Sequence, residues 1–588
     1  MSRPPVLGEL VVLDDVGRPR RGRAYPAAGG TSALLLPAVL LLGALLLWPV
    51  LRTLHASVTT DGRWVGTTHF RDAFATPGAG AAVGRTLLWA VLVPAVVTTL
   101  GYLLATASRR TAEGGLVRLI LVLPIALPLV VTAVTFRLLL DPAPTRGLVA
   151  RVLGAVWPGP VDTVPLPLGP GLVTVSLMAA FVWAWVGLAV VMFRAALEAV
   201  PPSLADAVRA FGGNRRDVLW DAQWRPLLLR TVAVVFALVA IGANRSFDLI
   251  LTMAPGSVRD EAAVLAVRVW QTSGGTTTGP GAALGVIWLA AVAAGMLVAA
   301  LFIRQSWPPP RPADPPEVDP TPPPSRRLRL VTAGAAIVWL VPLGVLVATS
   351  LHAPVDAAAH GWWSTPPSLD SYAAVLTDPD LWRSLLFTLL LSTGVTVAVL
   401  GVALLAAYPL AWLTGPPAQL TGVFLTAAVV VPVQMIAGPV NEVLGAVYSS
   451  GTTHGLALVH VALGVPFAVL VLRNAFADLP AEQVRAARLG GRHWWGTLRE
   501  LARHNRSAVV ALGVLQFVGV WNDLVVGLLF NAAETAPLGM FLYGQARHFV
   551  ANSGVLAAGS VLASILPVLL VVAARRHLVT GLVSRGIR

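Results

Sequence analysis

The sequence predicts an all-α polytopic membrane protein with about 12 transmembrane helices in two homologous six-helix halves. Three observations carry that prediction. Only 12% of the 588 residues are charged, 56% are hydrophobic and the mean hydropathy is +0.75, whereas a soluble domain is about a quarter charged. Apolar runs close to the ~20 residues that cross a bilayer recur along the whole chain. A polar, Arg-rich segment built around a Gly-Gly pair also occurs twice, half a chain apart, which points to an internal duplication.

The apolar runs fall at roughly 34–54, 86–107, 115–139, 171–193, 228–250 and 281–303, then at roughly 330–350, 384–413, 421–446, 454–476, 508–530 and 554–574. Residues 1–33 read as a polar cytoplasmic tail, 34–303 as the first half and 329–588 as the second. Residues 304–328 read as a cytoplasmic linker, because the run Trp307 to Arg327 is too rich in proline for helix or strand. The first apolar run is too long for a signal peptide and lacks an A-x-A site, so it is expected to stay as an anchor helix.

All 42 basic residues are arginines, and the formal charge is +14. They gather in alternate loops, which explains the charge by membrane orientation and not by nucleic-acid binding. Arg18, Arg20, Arg21 and Arg23, then Arg109 and Arg110, then the two Gly-Gly segments and the tail from Arg575 to Arg588 fall on one side. Arg146, Arg151, Arg259 and Arg268 are scattered on the other. Both termini and both Gly-Gly segments are therefore expected in the cytoplasm. The absence of cysteine rules out disulfides, thiolate metal sites and Cys nucleophiles.

Each Gly-Gly segment reads as helix, glycine break, helix. In the first, Pro201, Pro202 and Ser203 open a helix with Ser203 as N-cap and Asp206 three residues on. Gly212-Gly213 ends it, and Asn214 with Asp217 repeats the capping pattern. Leu204, Val208 and Phe211 share one face, while Arg209, Arg215 and Arg216 supply charge. The second copy has Pro480, Glu482 and Gly490-Gly491 in the same order, with Val484, Ala487 and Leu489 as its apolar face. A single copy could be an interfacial helix lying on anionic lipid with Trp220, Trp494 and Trp495 as anchors. Duplication in equivalent loops favours a rigid protrusion that transmits force.

The segment Asp206-Ala207-Val208 to Gly212, and Arg485-Ala486-Ala487 to Gly490, resembles the cytoplasmic coupling loop of binding-protein-dependent ABC importer permeases. The flanking pieces are similar to the carbohydrate-uptake (maltose-type) branch. Ser246 to Thr252 resembles one permease subunit. Leu369 to Tyr372, Ala406 to Pro409, Pro466-Phe467 with Arg473, Trp521-Asn522-Asp523 and Gly554 to Ser560 resemble its partner, so the chain looks like both subunits fused. Departures lie at Val208, at Arg485, and at Asn505, which stands where the first copy has Pro226. The resemblance implies a multi-pass permease in a bacterial plasma membrane. It implies a cytoplasmic ABC ATPase dimer holding ATP and Mg, and an extracellular solute-binding protein or lipoprotein. The coupling residues it implies are Asp206, Ala207, Arg209, Phe211, Gly212, Gly213, Arg485, Ala486, Ala487, Leu489, Gly490 and Gly491.

The chain itself is not expected to be an enzyme or to hold a cofactor or metal. A Walker A loop needs a lysine on the phosphates, and the sequence has none. No HExxH motif occurs, and His454 and His460 are spaced off one helical face. Polar residues at membrane depth are costly unless they find partners or line a pathway. On that ground Asn244, Phe247, Asp248, Gln434, Asn441, Trp521 and Asn522 are the candidates for a solute path, with Arg245, Glu442 and Asp523 beside them. Helix–helix hydrogen bonding is the plainer use for each. An ion-coupled secondary transporter with two six-helix repeats stays open as an alternative, as does a non-sugar solute such as a polyamine or glycerol phosphate. A membrane enzyme lacks a catalytic constellation.

Overall fold

Proline and the bilayer between them decide the shape of this chain. A computed structural model describes residues 32–109, 120–156, 166–198, 202–243, 246–273, 279–305, 326–447, 452–477, 493–531 and 536–578, apart from 218–219, 221–227, 364 and 414. Each of the twelve apolar runs is matched by helix. Among the described residues eight helices are long and apolar enough to cross a membrane, and three bent pairs raise that to eleven. The remaining run is the shorter helix Arg506–Trp521. The protein is an all-α, multi-pass membrane protein.

In the first half α1 (Ala33–Ala56) crosses, and a small ribbon, β1 (Thr59–Thr60) and β2 (Arg63–Trp64), follows it. The ribbon turns through Asp61 and Gly62, both at positive φ, the arrangement Asp-Gly favours in tight hairpins. Then come α2 (Ala79–Arg109), α3 (Leu129–Leu139), α4 (Leu148–Val156) and α5 (Val173–Glu198). The half ends with α6 (Pro202–Ala210), α7 (Leu229–Ala243), α8 (Phe247–Met253) and α9 (Gly279–Gln305). The second half opens with α10 (Arg326–Ser350), α11 (Pro379–Leu410), α12 (Pro416–Val430), α13 (Val433–Val447) and α14 (Thr453–Ala477). It closes with α15 (Trp494–His504), α16 (Arg506–Trp521), α17 (Val525–Phe530), α18 (Leu538–Arg547) and α19 (Phe549–Leu578).

The third span of each half is broken at its middle. Ile120–Ala126 meets α3 at 116°, and α12 meets α13 at 98°. A proline sits at each break. Leu127, before Pro128, has ψ 143°, and Val431, before Pro432, has ψ 122°, because the proline ring drives its predecessor out of the helical region. The fifth span also bends, by 50°, between Ala243 and Phe247.

A break inside hydrocarbon frees backbone carbonyls that no water can reach. Here the opposite half satisfies them. Asn522 Nδ2, from the second half, donates to Ala126 O at the first break, at 3.2 Å. Thr53 Oγ1, from the first half, reaches Met435 O beside the second break at 3.2 Å while also bonding Pro49 O. Met435 O needs that partner because its helical donor would be Pro439, which has no N–H.

Core packing follows the same exchange. Ala38, Leu42, Leu45 and Leu46 of α1 are buried among second-half residues such as Val395, Val440 and Leu472. In return Ala336, Val345 and Leu346 of α10 join the core around α3 and α5, and Trp183 Nε1 donates to Trp339 O at 2.9 Å. Each half thus lends its first helix to the other.

If these exchanged bonds hold the halves, Asn522→Leu should cost about 1–3 kcal/mol by orphaning a buried carbonyl. Thr53→Val should cost less, about 0.5–1.5 kcal/mol, since its hydroxyl is shared. Thermal melting of the purified full chain in nanodiscs checks both, and unchanged midpoints would contradict the account.

Candidate functional site: the Gly-Gly hairpin and the buried polar groups

The first hairpin is stiff for reasons that can be read atom by atom. Helix α6 begins at Pro202, so Ser203 lies within its first turn and not at the N-cap expected from the sequence. Asp206 Oδ1 accepts from Arg209 Nη1 at 2.9 Å, both side chains being largely exposed. At the other end Gly212 adopts φ +79°. Gly213 N donates to Val208 O and Gly212 N to Arg209 O, each at 2.9 Å. This is the Schellman pairing that satisfies terminal helix carbonyls. The two glycines are needed on different grounds. Gly212 needs the left-handed region, while a Cβ on Gly213 would lie 2.5 Å from Val208 Cγ1 and 2.7 Å from Val208 O.

The expected cap at Asn214 is present. Asn214 Oδ1 accepts from Arg216 N at 2.7 Å and Asp217 N at 3.2 Å, and Asp217 Oδ2 accepts from Asn214 N at 2.8 Å, a reciprocal capping box. The result is a fixed elbow whose tip residue, Phe211, is 92% exposed. Asp206, Ala207 and Arg209 are exposed beside it, and Val208 is half-buried. Arg485, Ala486, Ala487, Leu489, Gly490 and Gly491 of the second hairpin lie outside the described residues. Downstream of them, Asn505 ends α15 by donating from both N and Nδ2 to Leu501 O, at 3.0 Å each. Its own carbonyl starts α16 by accepting from Ala508 N and Val509 N.

The pathway candidates sort by what they touch. Asn244 and Arg245 lie outside the described residues. Phe247 is fully buried, edge-on to Trp270 at 5.6 Å. Asp248 is buried in the first turn of α8, where a helix N-terminus favours a carboxylate. Gln434 is buried at the start of α13. Asn441 Nδ2 donates to Leu529 O at 3.4 Å, and Trp521 Nε1 to Ala563 O at 3.0 Å. Glu442 lies 3.7 Å from Arg52, half-exposed. Asp523 Oδ2 caps α17, accepting from Val526 N at 2.9 Å and Gly527 N at 3.1 Å, with His460 Nε2 at 3.8 Å. Asn522 joins the two halves, as described. Its Oδ1, with Thr132 Oγ1 and Thr252 Oγ1, is buried without a hydrogen-bond partner among the described residues.

One residue that the sequence reading passed over is Arg137. Its Nη1 donates to Thr252 O at 3.1 Å and to Ala546 O at 3.0 Å, and its guanidinium lies 4.2 Å from the Phe549 ring centroid. Arg137 therefore ties α3 and α8 of the first half to α18 and α19 of the second. A lone arginine inside an apolar run was the available signal. Just beyond α3, Asp141 holds Arg146 through two contacts of 3.1 and 3.2 Å, and Arg146 Nη1 reaches Ala358 O of the second half. Trp363 Nε1 donates to Thr145 O at 2.6 Å. Between Val122, Leu123 and Ala126 on one side and Val568, Val571, Val572 and Arg575 on the other lies a cavity of about 40 Å³. Small-molecule sites are several hundred Å³, so the halves meet closely there.

No family model matches the chain. An osmoprotective compounds uptake permease protein, GgtD, of Synechocystis sp. is 29% identical over 268 residues, 43% of this chain and 89% of that relative. The alpha-glucoside transport system permease protein AglG of Rhizobium meliloti is 30% identical over 237 residues, 38% of this chain and 62% of the relative. The diacetylchitobiose uptake system permease protein NgcG of Streptomyces coelicolor is 24% identical over 275 residues, 44% of this chain and 89% of the relative. Among solved structures, a bacterial alginate ABC transporter in complex with an alginate pentasaccharide-bound periplasmic protein is 18% identical with a TM-score of 0.40, covering 47% of this chain. One permease-sized relative thus accounts for less than half of the polypeptide, and the chain is similar to permease proteins of sugar and osmoprotectant uptake systems, with the length of two such units.

Proposed function

We propose that this chain forms the complete translocation pathway of an ATP-driven importer for a sugar, oligosaccharide or similar neutral polyhydroxylated solute. An extracellular binding protein would deliver the solute, and a separate ATPase dimer carrying ATP and Mg would grip the two Gly-Gly hairpins from the cytoplasm. Residues 1–33, 304–328 and both termini would lie on that side, with 34–303 and 329–588 as the two permease halves. The observation that carries the reading is the elbow at Phe211 to Asp217. A ring 92% exposed at the tip of a doubly capped turn suits a groove on a partner.

The mechanism follows from rigidity. Because Gly212, Gly213 and the Asn214–Asp217 box fix the elbow, displacement of Phe211 moves α5 and α7 as a unit. Residues 484–491 would act equivalently in the second half, with Ala486, Ala487 and Leu489 offered to the second ATPase subunit. Closing the ATPase dimer would then part the halves at their seam. Along that seam, neutral donors and acceptors such as Thr132, Thr252, Gln434, Asn441 and Asn522 suit the hydroxyls of a sugar. Arg137 closes the seam beside Asp141, at the end of α3 that faces outward if the N-terminus is cytoplasmic, and must release Thr252 O and Ala546 O before solute enters.

Two outcomes test this. Phe211→Ser and Gly212→Val are expected to leave the chain folded but to strip bound ATPase from the purified complex, with loss of binding-protein-stimulated uptake. Uptake driven by a proton gradient in liposomes without ATP would defeat the reading and favour the secondary transporter. Arg137→Met removes charge-assisted bonds worth about 1.5–3 kcal/mol each. Loss of one such bond should raise hydrolysis without binding protein by about tenfold, measured as phosphate release. An unchanged basal rate would deny Arg137 the clasp.

A further inference from the structure

Helix α15 carries a stripe that the fold leaves uncovered. Thr497, Leu498 and Leu501 form its inner face and are buried, with α11 and α16 packed against the helix. On the outer face Trp495, Arg499 and Arg503 follow at four-residue steps, Trp495 being 58% exposed and both arginines exposed. Arg506, also exposed, comes immediately after the break at Asn505. A second element reaches the same corner. His577 Nδ1 lies 3.2 Å from Ser507 Oγ, which brings the end of α19, with Arg575 and Arg576 exposed, beside the start of α16.

Two spans leave the bilayer at this corner, so α15 lies at headgroup level. Glu500 is the one acid on the helix, 3.9 Å from Arg503 with both side chains more than half exposed, and such a surface pair neutralises little. An indole beside a row of guanidiniums at that depth is the chemistry that holds a phosphodiester: the ring sits among glycerol and carbonyl groups while the arginines meet the charge. We propose that this corner is a binding site for anionic phospholipid headgroups, which pin α15 to the membrane surface. A protein partner is the less suited occupant, because the helix is packed against the spans α11 and α16 through Thr497, Leu498 and Leu501 and is not the tip of a protrusion. The proposal does not depend on how the transporter is powered.

The test uses the full chain in nanodiscs of phosphatidylcholine with increasing phosphatidylglycerol. Retained lipid is read by native mass spectrometry after detergent extraction, and stability by thermal melting. The wild type should keep phosphatidylglycerol and melt higher as its fraction rises. Arg499→Gln with Arg503→Gln and Arg506→Gln should retain it at least about tenfold less, lose the rise in melting point, and match the wild type in pure phosphatidylcholine. The corresponding triple lysine variant should recover retention, since charge and not fork geometry is the attraction. Equal retention by wild type and glutamine variant overturns the site, and so does a lysine variant as defective as the glutamine one. A glutamine variant that keeps lipid but sheds bound ATPase assigns the stripe to the protein partner and overturns it too.

Discussion

A peptide group released from a helix inside hydrocarbon must find a partner there, and this constraint shapes the whole molecule. Carbonyls are left free at mid-span at the break before Pro128 and, through Pro439, just after the break at Pro432, and in each case a polar side chain from the other half takes one up. Asn522 serves Ala126, and Thr53 serves Met435. Irregular backbone at that depth is tolerated only where protein or a lined cavity surrounds it. The breaks therefore have to lie on the seam between halves. Under the proposed function, a seam with bent helices on both sides is also where a path for solute would open.

The hairpin applies the opposite strategy. At its elbow the N–H groups of Gly212, Gly213, Asn214, Arg216 and Asp217 are engaged, by the Schellman pair at Gly212 and Gly213 and by the box between Asn214 and Asp217. A Cβ at Gly213 would strike Val208, and a side chain at Gly212 would strain the left-handed turn. For the force transmission proposed above, stiffness at the elbow and a seam held by few polar bonds are complementary. A lever transmits displacement only if it bends less than the contacts it is meant to break, and the seam is held by a small number of polar bonds.

Much of this was legible in the sequence because membrane spans and glycine punctuation have strong local signals. Twelve apolar runs, the Gly212-Gly213 stop and the Asn214 cap are each fixed within a few residues of chain. The Ser203 cap was misplaced by two residues because Pro202 can itself occupy the first turn. The breaks at Pro128 and Pro432 were absorbed into continuous spans, since proline within a membrane helix is common and its consequence depends on what supplies the lost bonds. The roles of Arg137, Thr53 and Asn522 could not be read at all from one chain segment. Each acts through a carbonyl more than a hundred residues away, and nothing in local pattern encodes which carbonyl that is.

The exchange of first helices also gives a reason for carrying both units on one polypeptide. Helix α1 is buried among second-half residues and α10 among first-half ones, so neither half presents a complete core alone. As separate chains they would have to meet with two hydrophobic helices uncovered. Joined by a Pro-rich stretch, they meet at the millimolar effective concentrations typical of short tethers. The tether also guarantees that unlike halves pair. Each copy of the duplicated hairpin is then free to diverge, which is how Asn505 can close one loop by hydrogen bonding where Pro226 stands in the other. Asn505 does so with both its N–H groups on Leu501 O and its carbonyl on Ala508 N and Val509 N, keeping the turn rigid without the ring.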